Sequence, residues 1–251
     1  MLLRTIDGAF RVALADMYYL KRNLLTVMIT VMILPLLYFV SFAYGLGSTV
    51  DNTEGVTYIA FVIPGIVSLS TLSSCFSTTA NKIMLQRRFY SSFDEVVLCP
   101  VSSGSVVLGK AMLGIVRGLM CAAILIILGL LMTDDFAITP MLLFTVFVSC
   151  LTYSLLGVVA GFMVKGPPTF NLFNSLVILP MTFLCGTVFS VSAMPQFLQD
   201  LIQVLPLTHT TECIRSAALG WEFPWVSLIV VLAYGMAFFL ISRYLLEKGK
   251  V

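Results

Sequence analysis

Charge is scarce in this sequence. Asp, Glu, Lys and Arg make up 10% of its 251 residues, where a soluble domain carries about a quarter. Too little polar surface exists to coat a globule in water. Histidine occurs once, as His209, and no two of the six cysteines stand in CxxC spacing. That argues against a zinc site or a disulfide framework. Cys75, Cys99, Cys121, Cys150, Cys185 and Cys213 read as small buried hydrophobes. No GxxxxGK followed by Ser or Thr is present, so the chain has no nucleotide-binding loop of its own. HExxH and GxSxG are also missing. No Asp or Glu stands at the centre of a long apolar run. A proton-coupled carrier needs such a group, and a membrane enzyme needs a convergent reactive set.

What is abundant is apolar. Hydrophobic residues are 59% of the chain and mean hydropathy is +1.04. A bilayer core about 30 Å thick is crossed by roughly 20 apolar residues in a helix. Six such runs are expected, at 24–46, 56–79, 105–132, 140–164, 169–189 and 225–246. The fold class is therefore an all-α integral membrane protein, a single transmembrane domain over 1–251 whose short links leave no room for a soluble domain. The first 23 residues hold no apolar core bounded by a cleavage site, so no signal peptide is expected.

Lys and Arg set the orientation. Arg4, Arg11, Lys21, Arg22, Lys82, Arg87, Arg88, Lys110, Lys165, Arg243, Lys248 and Lys250 all fall on one side of the six runs. The other side carries Asp51, Glu54, Asp134, Asp135, Asp200, Glu212 and Glu222, with Arg215 its one basic residue. Both termini are expected in the cytoplasm. Arg117 lies inside the third run; it either faces the protein interior or a water-filled path, or snorkels to the inner surface.

Residues 1–23 read as an interfacial helix at the inner membrane surface, or as an ordinary amphipathic helix packed on the protein itself. Leu3, Ile6, Phe10, Ala13 or Leu14, and Met17 form an apolar stripe. Arg4, Asp7, Arg11 and Ala15 or Asp16 fall opposite. Breakers inside the spans are Pro35, Pro64-Gly65 and Pro180.

Two segments stand apart. In the polar loop 80–104, "SFDE" is a capping box from Ser92, with Asp94 and Glu95 in the first turn where the helix dipole favours carboxylates. Phe93, Val96 and Val97 share a side, and Pro100 stops the helix. A two-turn helix is marginal alone and needs a packing partner, either the inner membrane surface or a cytoplasmic protein. The second segment, 190–220, is too apolar for a solvated loop. It holds two short helices after Met194-Pro195 and Pro206, the second ended by Gly220. Each is too short to span, and the pair is expected to dip into the outer leaflet as a re-entrant hairpin. His209, Glu212 and Arg215 lie on the second of these, where Glu212 and Arg215 are spaced to pair, either as a structural ion pair or as an outer gate or headgroup contact.

Together "YGLGSTV" (44–50), "YIAFVIPGIV" (58–67), "FDEVVLCPVS" (93–102), "GK" (109–110) and the stretch 180–220 resemble the ABC-2 type permease family, in particular its nodulation-factor (lipo-oligosaccharide) and drug exporter branches. The resemblance implies a permease homodimer bound to two cytoplasmic ABC ATPase subunits, which bind the ATP and Mg; this chain needs no cofactor, is no enzyme and has no nucleic-acid partner. It also implies a coupling helix docked on the ATPase, with Arg88, Phe93, Asp94, Glu95, Val97, Leu98 and Pro100 as contact residues and Phe93 and Val97 filling an apolar pocket there. The interfacial helix, with Arg4, Phe10 and Arg11, is a further ATPase contact. Met194, Pro195, Pro206, His209, Glu212 and Arg215 would form the re-entrant gate. Spans one, two and five would line a path, with Pro64, Asn171, Asn174 and Arg117 as candidate lining. The activity implied is export of an amphipathic molecule. An ATP-independent channel or carrier, or a membrane scaffold, are the alternatives.

Overall fold

The computed structural model describes residues 2–45, 52–53, 56–90, 93, 95, 101–133, 136–184 and 196–248. These residues are almost wholly helical. The exception is a small antiparallel pairing of β1 (Asn52–Thr53) with β2 (Val56–Thr57). The long helices are α1 (Leu2–Arg22), α2 (Leu24–Gly45), α3 (Tyr58–Arg88), α4 (Ser103–Met132) and α5 (Pro140–Met163). Next come α6 (Pro167–Phe173), a π-helical turn (Asn174–Ile178) and α7 (Leu179–Leu184). The chain ends with α8 (Gln196–Gln203), α9 (Pro206–Leu219) and α10 (Trp225–Lys248).

Five of these helices, α2, α3, α4, α5 and α10, are long and apolar enough to cross a membrane. The run expected at 169–189 is helical as far as Leu184, but the wide turn divides it. That turn ends two residues before Pro180, whose ring crowds the preceding turn and whose missing N–H removes a helix bond.

Local chemistry fixes the helix ends. Ser102 Oγ accepts from Ser105 N at 3.2 Å and starts α4. Thr139 does the same for α5 with Leu142 N at 3.2 Å, and Pro140 supplies a preset φ at the first position. Gly220, at φ 69°, closes α9 in the left-handed region, which a side chain disfavours.

α3 is the central helix; most of its length is buried against α4 and α5. Glycines permit this approach. Gly157 and Gly161 on α5 lie against Phe76, Thr79 and Ile83, where added Cβ atoms would meet atoms at 2.7–2.9 Å. Gly114 and Gly118 on α4 lie against Thr79 and Cys75, where a Cβ would come within 2.1 Å. Small residues one turn apart let helix backbones meet closely, the usual device where lipid supplies no hydrophobic drive. Gly109 does the same for α1, whose Ala9 carbonyl and Val12 pack over it. Outward faces of α2 and α10 are apolar and exposed, among them Leu25, Ile29, Leu37, Val226, Ile229 and Met236, as a lipid-facing surface requires.

Candidate functional site

At the end of the bundle where the basic residues gather, Phe93 is 3% exposed. Its ring meets Phe162 of α5 edge-on, centroids 5.5 Å apart. Arg87 of α3 donates to the Phe162 carbonyl at 2.7 Å, and its guanidinium lies 5.8 Å and 5.4 Å from the centroids of Phe93 and Phe162. This corrects the expectation that Phe93 fills a pocket in a partner. An aromatic ring next to a bare helix terminus is better buried at once, by its own chain. Phe93 itself packs at the ends of α3 and α5, while Glu95 is exposed. Arg88 is exposed as well.

A charge cluster lies at the same end. Lys110 Nζ is 3.2 Å from Asp16 Oδ2, and Lys82 Nζ is 3.4 Å from Asp16 Oδ1. Gln86 Nε2 also reaches Oδ1 at 3.4 Å. The periodicity of α1 set Asp16 on a polar outer face; it is instead 3% exposed. The buried stripe of α1 is Ala9, Ala13, Asp16 and Leu20, and an apolar stripe of Phe10, Leu14 and Tyr18 is exposed. Arg11 is exposed as well. An acid on the polar face of an amphipathic helix looks solvated, which hid Asp16. The signal was Lys110, a cation inside an apolar run and so in need of a counter-charge.

Between α2, α3 and α4 opens a cavity of about 790 Å³. α2 gives Thr30, Val31, Leu34, Pro35 and Tyr38, and α4 gives Leu113 and Arg117. α3 gives Ser70, Ser73, Ser74, Ser77, Thr78, Asn81 and Lys82, which recur every three or four residues and so share one helical face. Arg117 Nη1 donates to Thr78 Oγ1 at 3.3 Å. Arg117 thus borders the cavity and bonds α3. Pro35 withholds an N–H from the Val31 carbonyl, and Cys121 Sγ approaches that oxygen at 3.9 Å.

The opposite end is closed by α9, most of whose residues are buried. Ser68 of α3 lies 3.1 Å from Thr210 Oγ1 and accepts from Thr211 Oγ1 at 3.0 Å. Tyr153 of α5 joins the same Thr210 hydroxyl. Thr139 Oγ1 donates to the Ala217 carbonyl at 2.7 Å. Glu212 and Arg215 diverge. Ser227 Oγ donates to Glu212 at 2.8 Å, with His209 Nδ1 4.0 Å from the carboxylate. His209 Nε2 faces the Gln203 carbonyl at 2.8 Å. Arg215 turns toward α3 and lies 3.7 Å from the Phe61 ring centroid. The spacing allowed an ion pair, but the two residues are claimed by different neighbouring helices. Burial pushes the Cys213 thiol up to about 12, helped by the Glu212 carboxylate. Pro206 is buried at the first turn of α9.

Pro64 is buried within α3, Asn171 is exposed on α6, and Asn174 is half-buried in the π turn; none borders the cavity. Phe170 and Phe173, their neighbours, stack on Phe76 of α3 at 6.0 and 5.5 Å. Asp94, Val97, Leu98, Pro100, Met194 and Pro195 lie outside the described residues, as does the side chain of Arg4.

Comparison with known proteins adds to this geometry. The family described as ABC-2 type transporter matches residues 8–219. The inner membrane transport permease YadH of Escherichia coli (strain K12) is 25% identical over 218 residues, covering 85% of this chain and 84% of that one. Nodulation protein J of Sinorhizobium fredii (strain NBRC 101917 / NGR234) is 29% identical over 179 residues, 70% of this chain and 68% of that one. Nodulation protein J of Rhizobium meliloti (strain 1021) is 27% identical over 217 residues, 85% and 83% of the two chains.

Proposed function

The chain belongs to the ABC-2 type transporter family, and on that premise we propose that it is the transmembrane subunit of an ATP-driven exporter of the inner membrane. Two copies pair with each other and with two ABC ATPase subunits, which bind ATP and Mg. Both termini and the end holding Arg87, Lys82 and Lys110 face the cytoplasm, as the distribution of basic residues supports. The π-broken run supplies a sixth span, α8 and α9 form a re-entrant closure on the outer side, and α1 lies in the inner interface on its Phe10, Leu14 and Tyr18 stripe. The cargo is amphipathic: a lipid-linked saccharide, a lipid or a drug-like molecule.

One observation carries the coupling mechanism: Phe93 is buried on Phe162 and Arg87 while Glu95, two residues on, is exposed. Phe93 is rooted in the permease itself, and Glu95 stands at the surface where a partner can reach it. A push on the Glu95 side passes through the Phe93 contact to the ends of α3 and α5 together. α3 walls the cavity, so its tilt changes the cavity's shape. ATP-driven closure of the two motor subunits would thereby move the two permease halves.

The test is co-purification in mild detergent with the partner identified by mass spectrometry. A stoichiometric ATPase is expected in the wild type and lost in Glu95→Lys, with the permease still folded. A chain that purifies alone as a stable oligomer overturns the reading in favour of a channel or scaffold.

A further inference from the structure

We propose that His209, Ser227 and Glu212 form a proton-operated latch: protonated, it fastens α8, α9 and α10 together; neutral, it gives up one of its bonds. The inference deepens the export reading, and rests on it only in calling these helices an outer gate.

Three contacts run in a row. His209 Nε2 lies 2.8 Å from the Gln203 carbonyl at the end of α8. His209 Nδ1 lies 3.1 Å from Ser227 Oγ on α10. Ser227 Oγ lies 2.8 Å from Glu212 Oε2 on α9. Each is a hydrogen-bond distance and needs a proton between its two atoms. A neutral imidazole brings one proton, the serine hydroxyl brings one, and a carboxylate brings none. Two protons do not fill three bonds. With the ring neutral, Nε2–H goes to the Gln203 carbonyl, and the serine proton serves His209 or Glu212 but never both. A third proton completes the row: Nε2–H donates to the carbonyl, Nδ1–H to Ser227, and Ser227 to Glu212. Imidazole is a stronger base than carboxylate, so the ring holds that proton.

The end of α8 favours a cation there. Three successive carbonyls meet side chains from the next two helices. Ile202 accepts from Thr208 Oγ1 at 2.7 Å, Gln203 faces His209, and Val204 accepts from Tyr234 Oη at 2.6 Å. The last carbonyls of a helix carry the negative end of its dipole and draw positive charge. Hydroxyl donors keep their protons through neutral pH, so His209 is the titrating member of the three. Its side chain is 16% exposed and that of Glu212 48%, so protons reach the row from water.

Few other groups compete. α8 brings Asp200, α9 brings Glu212, Cys213 and Arg215, and the link to α10 brings Glu222. α3, α5 and α10 bring Tyr58, Tyr153 and Tyr234. Among the described residues, Glu212 is the one acid in ion-pair contact with the ring. Arg215 turns away to Phe61, and the Cys213 thiol, pushed up to about 12 by burial, keeps its hydrogen. Acid therefore tightens the α8–α9–α10 junction, and rising pH loosens it.

The test follows backbone hydrogen exchange of the full chain in phosphatidylcholine nanodiscs, with no motor subunit, at about pH 5.5 and about pH 8, across the range where histidine changes charge. Rates are corrected for the intrinsic pH dependence of exchange and referred to α5. α8 and the first turns of α10 are expected to exchange about tenfold more slowly at the lower pH, the value of one charge-assisted hydrogen bond. His209→Gln, which gains no proton, and Ser227→Ala should each remove the difference. If His209→Gln fails to fold, Glu212→Gln, at a half-exposed position, should shrink it. His209 is the chain's single histidine, so its nitrogen-15 ring signals are unambiguous, and the slowing should follow the form with hydrogen on both nitrogens. Equal corrected rates at the two pH values overturn the proposal. So does a difference that survives in His209→Gln, or one that does not follow the doubly protonated ring. None of these readouts involves cargo or a motor subunit, so this proposal and the export reading fail separately.

Discussion

Asp16 on α1 holds Lys110 on α4 at 3.2 Å, with 4% and 3% of the two side chains exposed. α1 is thus locked to α4, one of the helices long enough to span, by a pair shielded from water. Removing one partner of such a pair leaves a buried charge and costs about 3–5 kcal/mol. Asp16→Asn is expected to lower stability by that amount, read from thermal unfolding in detergent. Asp16→Leu with Lys110→Met should recover most of it, because Lys82, at 28% exposure, still reaches solvent. A single variant as stable as wild type would show that the pair holds nothing.

The α3–α4 crossing yields a second prediction. A Cβ at Gly114 would meet Thr79 Oγ1 at 2.1 Å and Ser154 Oγ at 2.6 Å. Gly114→Ala must spread α4 from both α3 and α5, an overpacking effect of about 1–3 kcal/mol. Gly166→Ala has only Pro168 Cδ at 3.8 Å to meet and should be neutral. Equal melting temperatures for the two variants would contradict the packing described.

Thr210 is the node of the hydroxyl network under α9, touching Ser68 and Tyr153. Thr210→Val keeps the shape and removes both of those hydrogen bonds, a loss of about 1–3 kcal/mol. The expected readout is faster backbone hydrogen exchange confined to α9. Exchange unchanged there would mean that α9 is held by apolar contacts alone.

Phe93 and Glu95 should separate fold from coupling. Phe93→Ala removes a buried ring and should destabilise by about 3–5 kcal/mol. Glu95→Lys, at an exposed position where an ion pair contributes at most about 1 kcal/mol, should lower the melting temperature far less than Phe93→Ala and abolish cargo stimulation of the partner's ATPase. Normal stimulation in the folded Glu95→Lys variant would remove that residue from the docking face.

Composition by itself determined that this chain lives in lipid, since 10% charged residues do not coat a globule. Runs of apolar residues located the five helices long enough to span, and Pro206 and Gly220 marked the start and stop of α9, because these signals act within a turn or two of chain. Pattern along the chain did not say which helix faces meet. Asp16 looked solvated and is buried; Phe93 looked like a docking ring and is an internal anchor; Glu212 and Arg215 were spaced to pair and turn to different helices. The hydroxyl stripe of α3 was present in the sequence at helical spacing, yet such hydroxyls bond a neighbouring helix as readily as they line a cavity. Ser68 does the first and Ser70 the second, two residues apart. That choice was made by the glycine contacts that draw α4 and α5 onto α3 and leave its remaining face, opposite α2, open.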